Sequence, residues 1–161
     1  MAKRSPTKKR SKRRTSRKAQ PRASKRTRSA SRSTANRDTR RLVLLVEDDA
    51  AARSGYAEFL ADNGFRVVAV ETASLALEHA TKDVPDIVLT DIALPDLNGF
   101  ELTRSLKRDR RLTAVQVIGL TGYWSSDASR DARGAGMAAL LLKPVAPAHL
   151  IAEVTRVLAQ R

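Results

Sequence analysis

The chain has 161 residues, 31 Lys and Arg against 17 Asp and Glu, a formal net charge of +14 and no cysteine. The absence of cysteine excludes a disulfide framework and a thiolate metal site. No apolar stretch approaches the ~20 residues of a membrane span, and the N-terminus lacks the apolar region of a secretory signal, so the expected location is cytoplasmic.

The charge is concentrated at one end. Residues 1–41 hold 18 of the 31 basic side chains and one acid, Asp38, whereas residues 42–161 hold 13 basic and 16 acidic side chains. Almost no large apolar residue follows Met1 in this tail, so burial cannot offset the entropy of ordering it, and the expectation is a disordered basic segment. No apolar face emerges at helical spacing, which argues against an amphipathic membrane helix. Three readings of residues 1–41 stand side by side. The segment is a nucleic-acid binder that contacts phosphates without reading bases, or it docks on an acidic partner or anionic surface. In the third reading, translation starts near Leu42 instead.

From Leu42 onward a single domain of 120 residues is expected, long enough to bury a core. Short apolar runs recur at Leu42–Val46, Phe65–Val70, Ile87–Thr90, Val115–Leu120 and Ala138–Leu142. Between them lie segments of helical spacing. Ala52, Tyr56, Phe59 and Leu60 form the first stripe, stopped by Asn63-Gly64. Leu75, Leu77 and Ala80 mark a second helix, Phe100, Leu102 and Leu106 a third, Ser125–Gly134 a weaker fourth, and Leu150, Val154, Val157 and Leu158 a fifth. Strands alternating with helices predict an α/β fold with a parallel sheet. Four runs are nearly pure apolar, as strands covered on both faces should be. The run from Phe65 carries Arg66 and reads as an edge strand. That pattern fits the flavodoxin-like, doubly wound order 2-1-3-4-5, whose switch point lies at the C-terminal ends of strands 1 and 3.

The residues at those strand ends carry the chemistry. Strand 1 runs into Glu47-Asp48-Asp49, strand 3 into Asp91, strand 4 into Thr121 and strand 5 into Lys143-Pro144. Singly, each has an ordinary explanation as a helix cap, a turn or a solvated loop. Together they fall on one edge of the predicted sheet. Several carboxylates in one crevice require a cation or protons, and a site with oxygen donors alone suits Mg²⁺ or Mn²⁺ better than zinc. A carboxylate beside such a cation can accept a phosphoryl group, with a lysine and a hydroxyl on the remaining phosphoryl oxygens. Asp91 is therefore the candidate nucleophile, and Pro95 through Gly99 shape the loop beside it. His79 and His149 lie in helical segments and read as surface or half-buried residues. Trp124, next to the Thr121 loop, reads either as a partner surface or as partial core.

The pieces LLVEDD, DIVLTDIALPDLNGFEL, VIGLTGY and LLLKPV, in that order, resemble the receiver domain of two-component response regulators, across residues 42–161. By that resemblance Asp91 is the phosphoacceptor, Glu47 and Asp48 hold Mg²⁺ together with Asp91 and the carbonyl of Ala93, Thr121 is the switch hydroxyl and Lys143 contacts the phosphate. Asp49 falls outside the acidic pair and caps the first helix. Family members often have a cis peptide at the position of Lys143–Pro144. Where the family commonly has Tyr or Phe three residues before the lysine, this chain has Leu140, a departure from the usual threonine–aromatic relay. Ala93 and Tyr123 occupy positions that modulate dephosphorylation in the family.

The resemblance implies a regulator phosphorylated by a sensor histidine kinase or histidine phosphotransfer protein and acting through protein–protein contacts. Because the chain ends soon after the fifth helix, no attached effector domain is expected. The alternative is a basic nucleic-acid-associated protein whose receiver-like domain serves only for docking or dimerisation. A third, a metal-dependent phosphatase-like enzyme, lacks a general acid.

Overall fold

The structure, a computed structural model, describes residues 38–160; the expectation for the tail falls on residues outside this range except for its last four. Five strands and five helices alternate: β1 Leu42–Val46, α1 Ala50–Asp62, β2 Arg66–Val70, α2 Ala73–Lys82, β3 Ile87–Asp91, α3 Gly99–Arg108, β4 Gln116–Thr121, α4 Ser126–Ala135, β5 Ala139–Leu142 and α5 Pro147–Ala159. The sheet is parallel throughout, in the order β2-β1-β3-β4-β5, as the apolar rhythm predicts.

Side-chain alternation along each strand divides the core into two layers. Leu44, Val46, Val88 and Val117 face one side and pack with Ala73, Ala76 and Ala80 of α2, Leu102 and Leu106 of α3, and Ala132 of α4. Val43, Leu45, Ile87, Leu89, Ile118 and Leu120 face the other, beneath Leu60 of α1 and Leu150, Val154 and Val157 of α5. The central strands β1 and β3 are buried at every residue. Arg66 pairs with Asp83 at 2.8 Å on the β2 edge. Strand β5 is the other edge, as the expected order 2-1-3-4-5 implies, and Leu142 there is half exposed although the apolar composition of the strand alone reads as covered on both faces. The stripe expected on α2 also shifts: Leu75 is exposed, and the small Ala73, Ala76 and Ala80 face the sheet, letting the helix approach closely.

Local chemistry starts and stops the helices where the sequence signals them. Asp49 caps α1 by accepting from Ala52 N at 2.7 Å, and Asn98 and Glu101 form a reciprocal capping box at the start of α3. Thr72 and Ser125 cap α2 and α4, and Pro147 opens α5. Gly64 and Gly136 have φ of 87° and 91°, the left-handed conformation that follows a helix at low cost only for glycine. The Lys143–Pro144 peptide is cis.

Candidate functional site

The ladder geometry determines what meets at the C-terminal edge of the sheet. Val46 pairs with Thr90 and Val70, so Glu47 leaves β1 alongside Asp91, the last residue of β3. Asp91 in turn pairs with Leu120, one residue before Thr121, and Thr121 pairs with Leu142, one residue before Lys143. Four strand ends thus deliver Glu47, Asp48, Asp91, Thr121 and Lys143 to one crevice, at the topological switch point of the sheet.

Carboxylate oxygens of Glu47, Asp48 and Asp91 all lie within 4.8 Å of one another. Glu47 is 1% exposed and Asp91 8%, whereas Asp48 is open to solvent. The Lys143 ammonium bridges the two buried acids, 2.5 Å from Glu47 Oε2 and 2.6 Å from Asp91 Oδ2. Burial opposes the charge on Lys143, but the hydrogen bonds to Asp91 and Glu47 outweigh it and raise its pKa above the ordinary lysine value. The other Asp91 oxygen, Oδ1, accepts from the Ala93 amide at 2.9 Å. The Thr121 hydroxyl, 7% exposed as a residue, donates to the Tyr123 carbonyl at 2.8 Å and accepts from the Tyr123 amide at 3.2 Å.

The donor set tests what such a site can hold. It consists of oxygens alone, one carboxylate is solvent-facing, and among the described residues no hydrogen bond uses the Ala93 carbonyl. That arrangement fits a hard, partly hydrated divalent cation. The three carboxylates outnumber the single ammonium, so added positive charge is electrostatically favourable there.

Side chains beyond the predicted set hold the crevice in shape. Arg53, one helical turn past the Asp49 cap, donates from Nη1 to the carbonyls of Glu47 at 2.7 Å and Asp48 at 3.0 Å, and lies 3.7 Å from Glu71 at the end of β2. Asp96, in the loop after Asp91, accepts from Ala73 N, Ser74 N and Ser74 Oγ at 2.7 to 3.0 Å, tying that loop to the start of α2. Partial desolvation works against its charge, but the bonds from Ser74, Leu97 and Ala73 hold its carboxyl well below the usual range. Gly99 approaches β3 so closely that a Cβ there would sit 2.5 Å from the Asp91 carbonyl oxygen. Gly99 was legible as part of the loop. The Arg53 spacing was a usable signal, since position i+4 from a cap returns to the same helix face. The Asp96 contact, across 22 to 23 residues, had no local signal.

The remaining predicted residues lie as follows. His79 and His149 are exposed. Trp124 is 53% exposed and lines a cavity of about 260 Å³ between α4 and β5, beside Leu140.

Comparison with known proteins agrees with this geometry. The family model for the response regulator receiver domain matches residues 43–155. The transcriptional activator protein ExaE of Pseudomonas putida is 34% identical over 119 residues, 73% of this chain and 55% of ExaE, so the chain spans about half of that protein's length. The polar-differentiation response regulator DivK of Brucella ovis is 28% identical over 109 residues, 68% of this chain and 89% of DivK. Among solved structures, the CheY-like receiver domain protein of Methanospirillum hungatei is 30% identical, with a TM-score of 0.72 over 76% of this chain and 96% of that one. Chemotaxis response regulator CheY4 of Vibrio cholerae is 26% identical, with a TM-score of 0.71 over 74% of this chain and 99% of that one.

Proposed function

The chain belongs to the response regulator receiver domain family, whose members are phosphoacceptor signalling domains, and from that premise we propose that Asp91 accepts a phosphoryl group from a sensor histidine kinase or a histidine phosphotransfer protein. The observation that carries this reading is the convergence of Glu47, Asp48, Asp91, Thr121 and Lys143 from four strand ends into one crevice. An Asp91 oxygen attacks phosphorus while the P–N bond to the donor imidazole breaks. The imidazole nitrogen keeps that electron pair and takes a proton, and Asp91 carries an acyl phosphate.

Each neighbour has a part in this reading. Glu47, Asp48 and Asp91, with the Ala93 carbonyl, would hold Mg²⁺, which when bound neutralises charge on the phosphoryl oxygens. Lys143 already lies on an Asp91 oxygen and needs only a small displacement to donate to the phosphoryl group. The Thr121 hydroxyl, one residue beyond the Asp91 partner on β4, turns from Tyr123 to another phosphoryl oxygen. The modified domain then signals through protein–protein contacts in the cytoplasm. Among the described residues no helix is long and apolar enough to cross a membrane.

Intact mass of wild type and Asp91→Ala after incubation with acetyl phosphate, with and without Mg²⁺, tests the proposal. An adduct in wild type with Mg²⁺, absent from Asp91→Ala and from the Mg²⁺-free sample, is the expected result. No adduct together with no Mg²⁺ binding would refute it.

A second reading rests on composition: residues 1–41, with 18 basic side chains and one acid, would bind nucleic acid without sequence preference. Its affinity for a DNA duplex would fall by ~10³–10⁵ between about 50 and 200 mM salt if ~6–10 phosphates were contacted. Removal of residues 1–41 abolishes such binding. If the receiver is a docking module alone, Asp91→Ala leaves it unchanged.

A further inference from the structure

Open space lies at the seam between α4 and β5, beside Leu140. Leu140 lines the cavity of about 260 Å³ together with Ser129 and Ala132 of α4, Met137 and Trp124. Two features of this cavity are unsatisfied. The Ser129 hydroxyl oxygen is buried and has no hydrogen-bond partner among the described residues. Trp124, which also lines the cavity, is 53% exposed as a residue although a large aromatic surface gains from burial.

The backbone beside Trp124 is tied to the site. Beyond the last ladder pair of β4, Thr121 with Leu142, the segment 122–124 is tethered only by the two hydrogen bonds between the Thr121 hydroxyl and the Tyr123 backbone, among the described residues. Gly122 would have no atom within 4 Å of a Cβ, so this segment is not packed against neighbours there. A threonine has one hydroxyl proton. Donated to a phosphoryl oxygen on Asp91, it is no longer available to the Tyr123 carbonyl, and the reorientation removes the acceptor from the Tyr123 amide as well.

We propose that Trp124 takes the place of the missing aromatic relay: phosphorylation of Asp91 draws the Thr121 hydroxyl off Tyr123, and the released Trp124 ring turns into the α4–β5 cavity, where its indole N–H donates to Ser129 Oγ. The relay rests on the phosphoacceptor reading above. It transmits the state of Asp91 to the seam between α4 and β5 through a loop residue instead of a strand residue. Ser125, which caps α4 by accepting from Ala128 N at 3.0 Å, anchors the other side of the moving segment. The motion is therefore confined to residues 122–124.

The chain contains one tryptophan, so its fluorescence reports this motion directly. The full-length protein is treated with acetyl phosphate and Mg²⁺, with intact mass recorded on the same samples. Acetyl phosphate gives up its phosphoryl group to the Asp91 carboxylate and leaves as acetate. The wild-type adduct should show emission at shorter wavelength and roughly two-fold weaker acrylamide quenching, as a half-exposed indole becomes buried. Ser129→Ala should form the adduct with a smaller loss of quenching. Thr121→Ala should show the shifted emission before any acetyl phosphate is added, because its tether is already gone. Adduct formation with unchanged or red-shifted emission in wild type would overturn the relay and leave the phosphoacceptor reading intact. Absence of the adduct together with no Mg²⁺ binding would instead overturn the reading on which the relay rests.

Discussion

Replacing Lys143 by Met should expose how much of the domain's stability depends on one ammonium between two buried acids. Methionine keeps an unbranched stem of similar reach and removes the charge. Lys143 makes contacts of 2.5 and 2.6 Å with Glu47 and Asp91, and its own side chain is 22% exposed. With charge centres about 4 Å apart and an effective dielectric of about 20, each attraction is on the order of 4 kcal/mol. Desolvation of the three groups offsets much of this, and removal of one partner of a buried pair generally costs about 3–5 kcal/mol. The partial exposure of Lys143 places the expected loss near the low end, about 3 kcal/mol in Mg²⁺-free buffer. Urea unfolding of wild type, Lys143→Met, Glu47→Gln and the double variant, all in chelator, measures it. If the loss arises from stranded carboxylates, Glu47→Gln recovers a large part, and the cycle gives a coupling of about 2 kcal/mol. Mg²⁺ should also bind Lys143→Met more tightly, by roughly tenfold, because the competing cation is gone. A coupling under about 0.5 kcal/mol, with Mg²⁺ affinity unchanged, would refute this electrostatic account of the crevice.

Arg53→Ala should weaken Mg²⁺ binding by about tenfold, since two carbonyl hydrogen bonds that fix the Glu47-Asp48 turn are lost; calorimetric titration of Mg²⁺ checks it, and an unchanged affinity would assign Arg53 to packing alone. Gly99→Ala should destabilise the domain by about 1–3 kcal/mol through overpacking against the Asp91 carbonyl, and slow adduct formation in the acetyl phosphate assay. Asp96 predicts part of the acid limb. Its folded-state pKa is depressed below the unfolded value of about 3.9, so its contribution is fully present above that value and disappears as pH falls through the folded pKa. Asp96→Asn should therefore flatten the stability curve below about pH 4. Thermal melts between about pH 2 and 5 would detect the difference from wild type, and parallel curves would rule the contact out as a source of acid sensitivity.

The sequence by itself determined a large share of this protein because its signals are local. Nearly pure apolar runs give five strands, and Asp49 and Gly64 mark helix ends through bonds to residues a few positions away. The acids, threonine and lysine could be assigned to one edge since every strand of a parallel sheet points the same way. Composition alone reads the apolar β5 as covered on both faces, although the predicted order already sets it at the sheet edge, and on α2 alanines face the sheet while Leu75 is exposed. Strand order and register alone place Lys143 between Glu47 and Asp91, contacts that span 96 and 52 residues. The same is true of the Asp96 clamp on α2 and of the cavity between Trp124 and Leu140. Local hydrogen bonds and side-chain periodicity act within a turn or two of the chain, so sequence carries them openly. Contacts across the sheet depend on how whole elements pack, and the tertiary structure alone decided them.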